Sequence, residues 1–154
     1  MKKIYFLLFV VVMVACKDDD PKLTVEQYLT AAKDGWVYES VLLTLPGTSV
    51  QVDALKDPQF ADFFEACTLD DATIFTTDGK YTVANNTKCD PSDDTTLDSG
   101  TWALNSDKSS LTISSASDDP FTLTKLSVDG GRLQGELSEF FGIPVSATII
   151  MKHK

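Results

Sequence analysis

Short segments of alternating apolar and polar residues, separated by tight turns, fill the second half of the chain. In the last segment Val145, Ala147 and Ile149 alternate with Ser146 and Thr148. Successive side chains of a strand point to opposite faces, so this alternation predicts strands that bury one face. The chain is therefore constrained to close a β-sheet over an apolar core.

Eight strands are predicted in total. Asp78-Gly79, between two of them, is the strongest short signal for a hairpin. Residues 90–99 are read as a polar, Asp-rich loop. Strands joined by short turns predict an all-β fold, an eight-stranded up-and-down antiparallel barrel, whose closure removes exposed edges. The predicted strands are 35–45, 73–77, 80–85, 100–104, 111–113, 121–124, 132–137 and 145–151.

Two short helical segments accompany the strands. Thr24-Val25-Glu26-Gln27 has the form of a capping box, so a short N-terminal helix is predicted over 24–32. Residues 53–66 carry a cluster of phenylalanines and predict a helical turn after the first strand, which Pro58 divides.

The N-terminus has the form of an export signal. Lys2 and Lys3 precede an apolar stretch over 4–14, which as a helix is only about 16 Å long and too short to span a bilayer. This predicts a signal peptide over 1–15, which is removed. Met13-Val14-Ala15-Cys16 resembles the lipobox of bacterial lipoproteins, which implies acylation of Cys16, with palmitate among the acyl chains. Residues 16–23 are then an acidic tether, and residues 24–154 a single domain.

The run Lys17-Asp18-Asp19-Asp20 resembles the surface-export signal of Bacteroidota lipoproteins. It implies that the protein is lipid-anchored to the outer membrane and exposed at the cell surface. Two alternatives stay open: a secretory signal in which Cys16 is incidental, and a tether that is acidic only because it is solvated.

The charge excludes one class of partner. Loss of Lys2 and Lys3 with the leader leaves 11 of 13 basic residues against 23 acidic ones, a formal charge of −12. A surface this acidic argues against nucleic acid as a partner. Acidity keeps an exposed domain soluble and is not by itself evidence for a cationic ligand.

Once Cys16 is acylated, Cys67 and Cys89 remain. In an exported protein an even number of cysteines suggests a disulfide, worth about 3 kcal/mol for a loop of this length. A metal site is the rival interpretation, but the one histidine, His153, lies at a C-terminus that we expect to fray.

Motifs for catalysis are missing from the sequence. It contains no Gly-x-Ser-x-Gly elbow, phosphate loop or dinucleotide fingerprint, so we expect no enzymatic activity, no catalytic residues, no metal and no cofactor. Pairs of aspartates lie beside turns, where Asp commonly bonds its own backbone. Calcium ligation is a less favoured alternative to a solvated loop; its ligands would be Asp90, Asp93, Asp94 and Asp98.

Four motifs in order carry a family resemblance: Cys67-Thr68-Leu69-Asp70-Asp71, Phe75-Thr76-Thr77-Asp78-Gly79-Lys80-Tyr81, Cys89 and Gly100-Thr101-Trp102. Over roughly residues 35–152 the chain resembles the lipocalin-like domain lipoproteins of Bacteroidota. The resemblance implies a calycin-type barrel, a disulfide and, by analogy of fold, binding of a small molecule. Gly35-Trp36 only approximates the leading Gly-x-Trp of lipocalins. The closing Arg that would pack on that Trp has no clear counterpart, because Arg132 lies one strand early.

Aromatic residues of the predicted strands are the candidate ligand-binding residues. They are Trp36, Tyr38, Phe75, Tyr81, Trp102 and Phe121. They either line a pocket for a small hydrophobic or amphipathic ligand or simply fill the barrel. In the second case we expect a non-catalytic accessory module that binds a protein partner or surface glycan through loops, including an apolar lip at 140–144. An interior void of roughly 300 Å³ or more would favour the ligand.

Overall fold

Apart from the short second strand, which pairs with the first alone, each strand of the sheet pairs with its neighbours along the chain, and the last strand pairs with the first. The computed structural model describes residues 23–45, 47–140 and 145–154, without the side chains of residues 61 and 62. The leader, Cys16 and residues 141–144 lie outside the described residues. The helical elements are α1 (Val25–Ala31) and a 3-10 helix (Pro58–Phe63). The strands are β1 (Trp36–Thr44), β2 (Gln51–Asp53), β3 (Ala72–Phe75), β4 (Lys80–Ala84), β5 (Thr96–Leu104), β6 (Leu111–Ser115), β7 (Phe121–Asp129), β8 (Arg132–Leu137) and β9 (Ala147–His153).

The closed eight-stranded antiparallel barrel is confirmed. β1 pairs with β9 from Trp36–His153 to Leu43–Ala147, whereas it meets β3 at one pair, Trp36–Thr73. β2, the strand not predicted, pairs with the far end of β1. Three residues are too few to show an alternation of apolar and polar side chains in the sequence. This segment is a strand because it pairs with β1.

Two predicted strands are at least four residues longer in the structure than in the sequence analysis. β5 begins at Thr96, so the loop predicted over 90–99 is wrong for its last four residues, which pair with β4. β7 continues to Asp129 past a bulge near Lys125, whose φ is 49°. The bulge interrupts the alternation of side chains. The alternation of apolar and polar residues in the sequence therefore ends before the strand does.

The N-terminal helix covers one end of the barrel, called the helix end below. Its predicted capping box is present, with reciprocal hydrogen bonds between Thr24 and Gln27. The indole Nε1 of the fully buried Trp36 donates to the Leu29 carbonyl over 3.0 Å. At the opposite end, called the loop end, β4, β6 and β8 finish and β5, β7 and β9 start. The predicted helical turn, here the 3-10 helix beginning at Pro58, lies in the connection from β2 to β3.

The C-terminus is held in the barrel, and the expectation that it frays is wrong. His153 belongs to β9, pairs with Trp36 and places its ring edge-on, with 4.3 Å between ring centroids. His153 thus packs on Trp36, the tryptophan on which an arginine would pack in lipocalins. The sole arginine, Arg132, makes a two-pronged ion pair with Glu39 instead, at 2.6 and 2.8 Å.

The disulfide Cys67–Cys89 is confirmed and joins the connection before β3 to the one after β4. In the part of the chain that the structure describes, one group of potential metal ligands lies close together, Glu65 with both cysteines. Because a metal needs free thiolates, the disulfide removes that site. No helix among residues 23–45, 47–140 and 145–154 is long and apolar enough to cross a membrane.

Candidate functional site

A cavity of about 390 Å³ lies inside the barrel. Its walls follow from the alternation along each strand. On β9, Ile149 and Met151 point inward, and on β1 their partners Val41 and Tyr38 do the same. The lining residues are Tyr38, Val41, Phe64, Thr73, Phe75, Tyr81, Val83, Asp98, Ile113, Phe121, Leu123, Leu133, Leu137, Glu139, Phe140, Ile149 and Met151.

The cavity occupies the loop-end half because side chains fill the other half. Leu29, reaching in from α1, packs there with Trp36, Trp102 and Leu111, and each of the four is at most 8% exposed. The helix end is therefore closed, and the walls of the cavity reach the rim of the loop end through Phe121 on β7.

Four of the six predicted binding residues line this cavity: Tyr38, Phe75, Tyr81 and Phe121. Tyr38 is 39% exposed, and its register with Met151 points its ring into the cavity.

Trp36 and Trp102 lie outside the cavity and belong to the packed half. The Trp102 indole donates from Nε1 to the Thr76 carbonyl over 3.1 Å. Its ring packs edge-on against Phe75, with 5.7 Å between centroids. Both tryptophans therefore hold the closed end together.

Asp98 is the main polar group of the cavity wall. Its Oδ2 accepts a hydrogen bond from the Tyr81 hydroxyl at 2.6 Å, and its Oδ1 accepts from the Ser99 amide at 2.7 Å and the Ser115 hydroxyl at 2.8 Å. Burial alone would raise the pKa of Asp98, but these hydrogen bonds outweigh it and lower the pKa below the usual value. Asp98 is thus an ionised carboxylate at neutral pH.

Tyr81 is the matching donor. It is 2% exposed, and burial, followed by the hydrogen bond to Asp98, raises its pKa to about 12. The hydroxyl stays protonated at neutral pH and holds the carboxylate in one orientation.

Asp71 is a second carboxyl group, more deeply buried than Asp98. It is 8% exposed, and its Oδ1 accepts no hydrogen bond from the described residues. Burial raises the pKa of Asp71. Burial also raises the pKa of Tyr38, and the charge of Asp71 raises it further. Asp71 precedes the inward-facing Thr73 by two residues, so the wall near Tyr38 is also acidic.

The sequence analysis missed Asp98 as a cavity residue. It placed Asp98 in a loop and weighed it only as a calcium ligand with Asp90, Asp93 and Asp94. The structure separates them: Asp90 and Asp93 accept from Ser92 and from the Asp90 amide within the loop, whereas Asp98 lies in β5. Because alternate residues of a strand share a face, Trp102, Gly100 and Asp98 lie on the same face. Extending β5 backwards in this alternation would have predicted that Asp98 points into the barrel.

The apolar lip predicted at 140–144 can be followed only at Phe140, since residues 141–144 lie outside the described residues. Phe140 is half-buried and stacks on Phe64, with 6.3 Å between ring centroids. Both rings line the cavity near the loop end, so Phe140 forms part of its wall.

This arrangement is suited to binding. The wall is mostly apolar and carries few polar groups, which is the usual composition of a small-molecule site. Among the described lining residues there is no Ser, Cys, Lys or His, and their polar groups are hydroxyls and carboxylates.

Comparison with known proteins supports the fold assignment. The model of the lipocalin-like domain family matches residues 32–135, more than half of the chain, with six of its eight barrel strands in full and part of β8. The comparison with curated proteins found no match, and neither did the comparison with solved structures. The match and the closed barrel together show that the chain belongs to the family of lipocalin-like domains.

Proposed function

We propose that this protein binds a small hydrophobic or amphipathic ligand inside its barrel. The observation that carries the proposal is the cavity of about 390 Å³ with its largely apolar wall. This volume lies within the range of roughly 300–1,000 Å³ that is typical of ligand pockets. Proteins with lipocalin-like domains are typically binding proteins, which agrees with this largely apolar wall.

Binding would be driven by removal of apolar ligand surface from water. Each Å² of apolar surface buried contributes about 25 cal/mol, from which the cost of association is subtracted. The cavity is already formed between strands held by the closed sheet, so little ordering of the protein opposes binding. Aromatic walls at Phe75, Tyr81 and Phe121 add contact area.

The alternative, a packed barrel that binds a protein or glycan through loops, has less support. It rested on an exposed aromatic lip, whereas Phe140 stacks on Phe64 and contributes to the cavity wall. An open interior is the feature that distinguishes the two hypotheses, so we favour the ligand.

The place of action is part of the proposal. We infer from the leader and Cys16 that the barrel is tethered by acyl chains to the outer membrane, on the cell surface. A ligand-binding barrel there would capture or hold a small molecule outside the cell. Support for this location comes only from the sequence motifs around Cys16.

A matched pair of variants on one strand tests the binding site. Val83 lines the cavity and its neighbour Thr82 is exposed on the opposite face of β4. Val83→Trp should fill part of the cavity, whereas Thr82→Trp adds the same group outside. The probe is Nile red, a neutral dye whose fluorescence rises in apolar surroundings, titrated into the purified full-length protein.

We expect Nile red to bind the unmodified protein and Thr82→Trp alike, and to bind Val83→Trp at least ten-fold more weakly, about 1.4 kcal/mol. Equal affinity for both variants would place the dye elsewhere and refute the site. Native mass spectrometry of protein purified from its host should in addition reveal the co-purified ligand.

A further inference from the structure

The charged groups of the cavity all have one sign. Two lining residues are acidic, Asp98 and Glu139, and none of the described lining residues is Lys, Arg or His. Asp71, buried beside Tyr38, is a third carboxyl group behind the wall, with Lys154 as a nearby cation. An anionic ligand would therefore meet repulsion without a basic partner.

We infer that the ligand is a cationic amphiphile: an apolar body that lies in the barrel, with an ammonium group that pairs with the carboxylate of Asp98. This inference rests on the proposed function and specifies the chemistry of the ligand for the same cavity.

The position of Asp98 fits this arrangement. It is the third residue of β5, which starts at the loop end, and it is half-buried. The Tyr81 hydroxyl uses one lone pair of Oδ2, and a carboxylate oxygen has two. An ammonium group at the loop end can use the other, while the apolar body reaches toward Leu133 and Met151, deeper in the barrel.

The surroundings of Asp98 favour a cation for two further reasons. A carboxylate in a partly desolvated wall gains from a counter-charge that no side chain lining the described cavity supplies. The aromatic rings of Tyr38, Phe75 and Phe121 in the same wall attract cations through their π faces.

Head-group discrimination tests the inference directly. Decylamine, decanol and decanoate share one alkyl chain and differ in charge at neutral pH. Each is titrated into the purified full-length protein by calorimetry. We expect decylamine to bind about ten-fold more tightly than decanol, the effect of a charge-assisted hydrogen bond after the amine is desolvated. Decanoate should bind most weakly.

Two isosteric variants locate the effect. Asp98→Asn should reduce the preference for decylamine over decanol, measured in the same variant, to about two-fold or less. Asp94→Asn makes the same change of charge in the exposed loop before β5, and should keep the preference. Near-ultraviolet circular dichroism checks that both variants are folded.

The possible outcomes distinguish failure of the inference about ligand charge from failure of the proposed binding function. Equal affinities for the three ligands, or tightest binding of decanoate, would overturn the inference about charge and leave the binding cavity intact. A preference that survives in Asp98→Asn would also overturn it, because the carboxylate would then not be the partner. Absence of binding for all three ligands and Nile red would overturn the proposed function itself. The ranking in the unmodified protein is decisive even where Asp98→Asn does not fold.

Discussion

The hydrogen bond from Tyr81 to Asp98 should make the barrel sensitive to alkaline pH. The Tyr81 hydroxyl donates to Asp98 Oδ2 over 2.6 Å. Burial, followed by this bond, raises the pKa of Tyr81 from 10.0 to about 12. Because the folded pKa is the higher one, the folded protein keeps a proton that the unfolded chain releases, so stability falls as the pH rises through this range.

The size of the effect follows from the shift. Two pKa units correspond to about 2 to 3 kcal/mol, fully present below pH 10 and lost as the pH rises through 12. An independent estimate comes from Tyr81→Phe at neutral pH. Loss of a hydrogen bond to a charged group costs about 1.5–3 kcal/mol, and the lower half applies here because Asp98 keeps donors from Ser99 and Ser115.

Urea unfolding of the unmodified protein and Tyr81→Phe, at a series of pH values from 8 to 12, measures both quantities. We expect the unmodified protein to be more stable by about 1–2 kcal/mol at pH 8, and this difference to fall by about 2 to 3 kcal/mol by pH 12, so that it vanishes or reverses in sign. The raised pKa of Tyr38 affects both proteins equally and cancels. A difference that stays constant with pH would refute the reasoning. In Asp98→Asn, absorbance titration should find the pKa of Tyr81 lowered but still above 10, because burial remains.

Three further predictions concern the disulfide, a glycine and the anchor. Replacing both Cys67 and Cys89 with Ser should lower the free energy of unfolding in urea by about 3 kcal/mol; an unchanged midpoint would contradict it. Gly100→Ala places a Cβ 2.0 Å from the Ser114 carbonyl oxygen, so we expect a loss of at least about 3 kcal/mol, and a melting temperature like that of the unmodified protein would contradict the close packing of β5 on β6. Cys16→Ala should move the protein from the membrane to the soluble fraction after cell lysis; continued sedimentation with membranes would argue against the lipid anchor.

The barrel could be predicted from the sequence because strand alternation and turns are local. Asp78-Gly79 places β3 beside β4, and alternation in β9 separates the two faces. The second half of β7 could not be predicted, because the bulge at Lys125 interrupts the alternation of its residues. Pairing with β4 makes a strand of Thr96–Ser99, residues whose polarity indicated a loop.

The cavity could be predicted only in part, because alternation assigns a side chain to the inner face without giving its depth. Trp36 and Tyr38 both point inward from β1, yet one fills the barrel and the other lines the void. The difference depends on α1, which brings Leu29 over the Trp36 end. Where a helix packs against a barrel is a long-range property, and no short pattern of residues contains it.

The distribution of side-chain volume explains why this barrel is open at all. Eight strands enclose a space that side chains can just fill or that can hold one small ligand. Here the helix end receives Trp36 and Trp102, whereas on β8 Gly135 places no side chain between the lining residues Leu133 and Leu137. Packing alone does not account for Asp98, since an apolar residue at a buried charged position is often neutral or stabilising. A carboxylate held by Tyr81 at the edge of an unfilled half-barrel is explained if a ligand uses it.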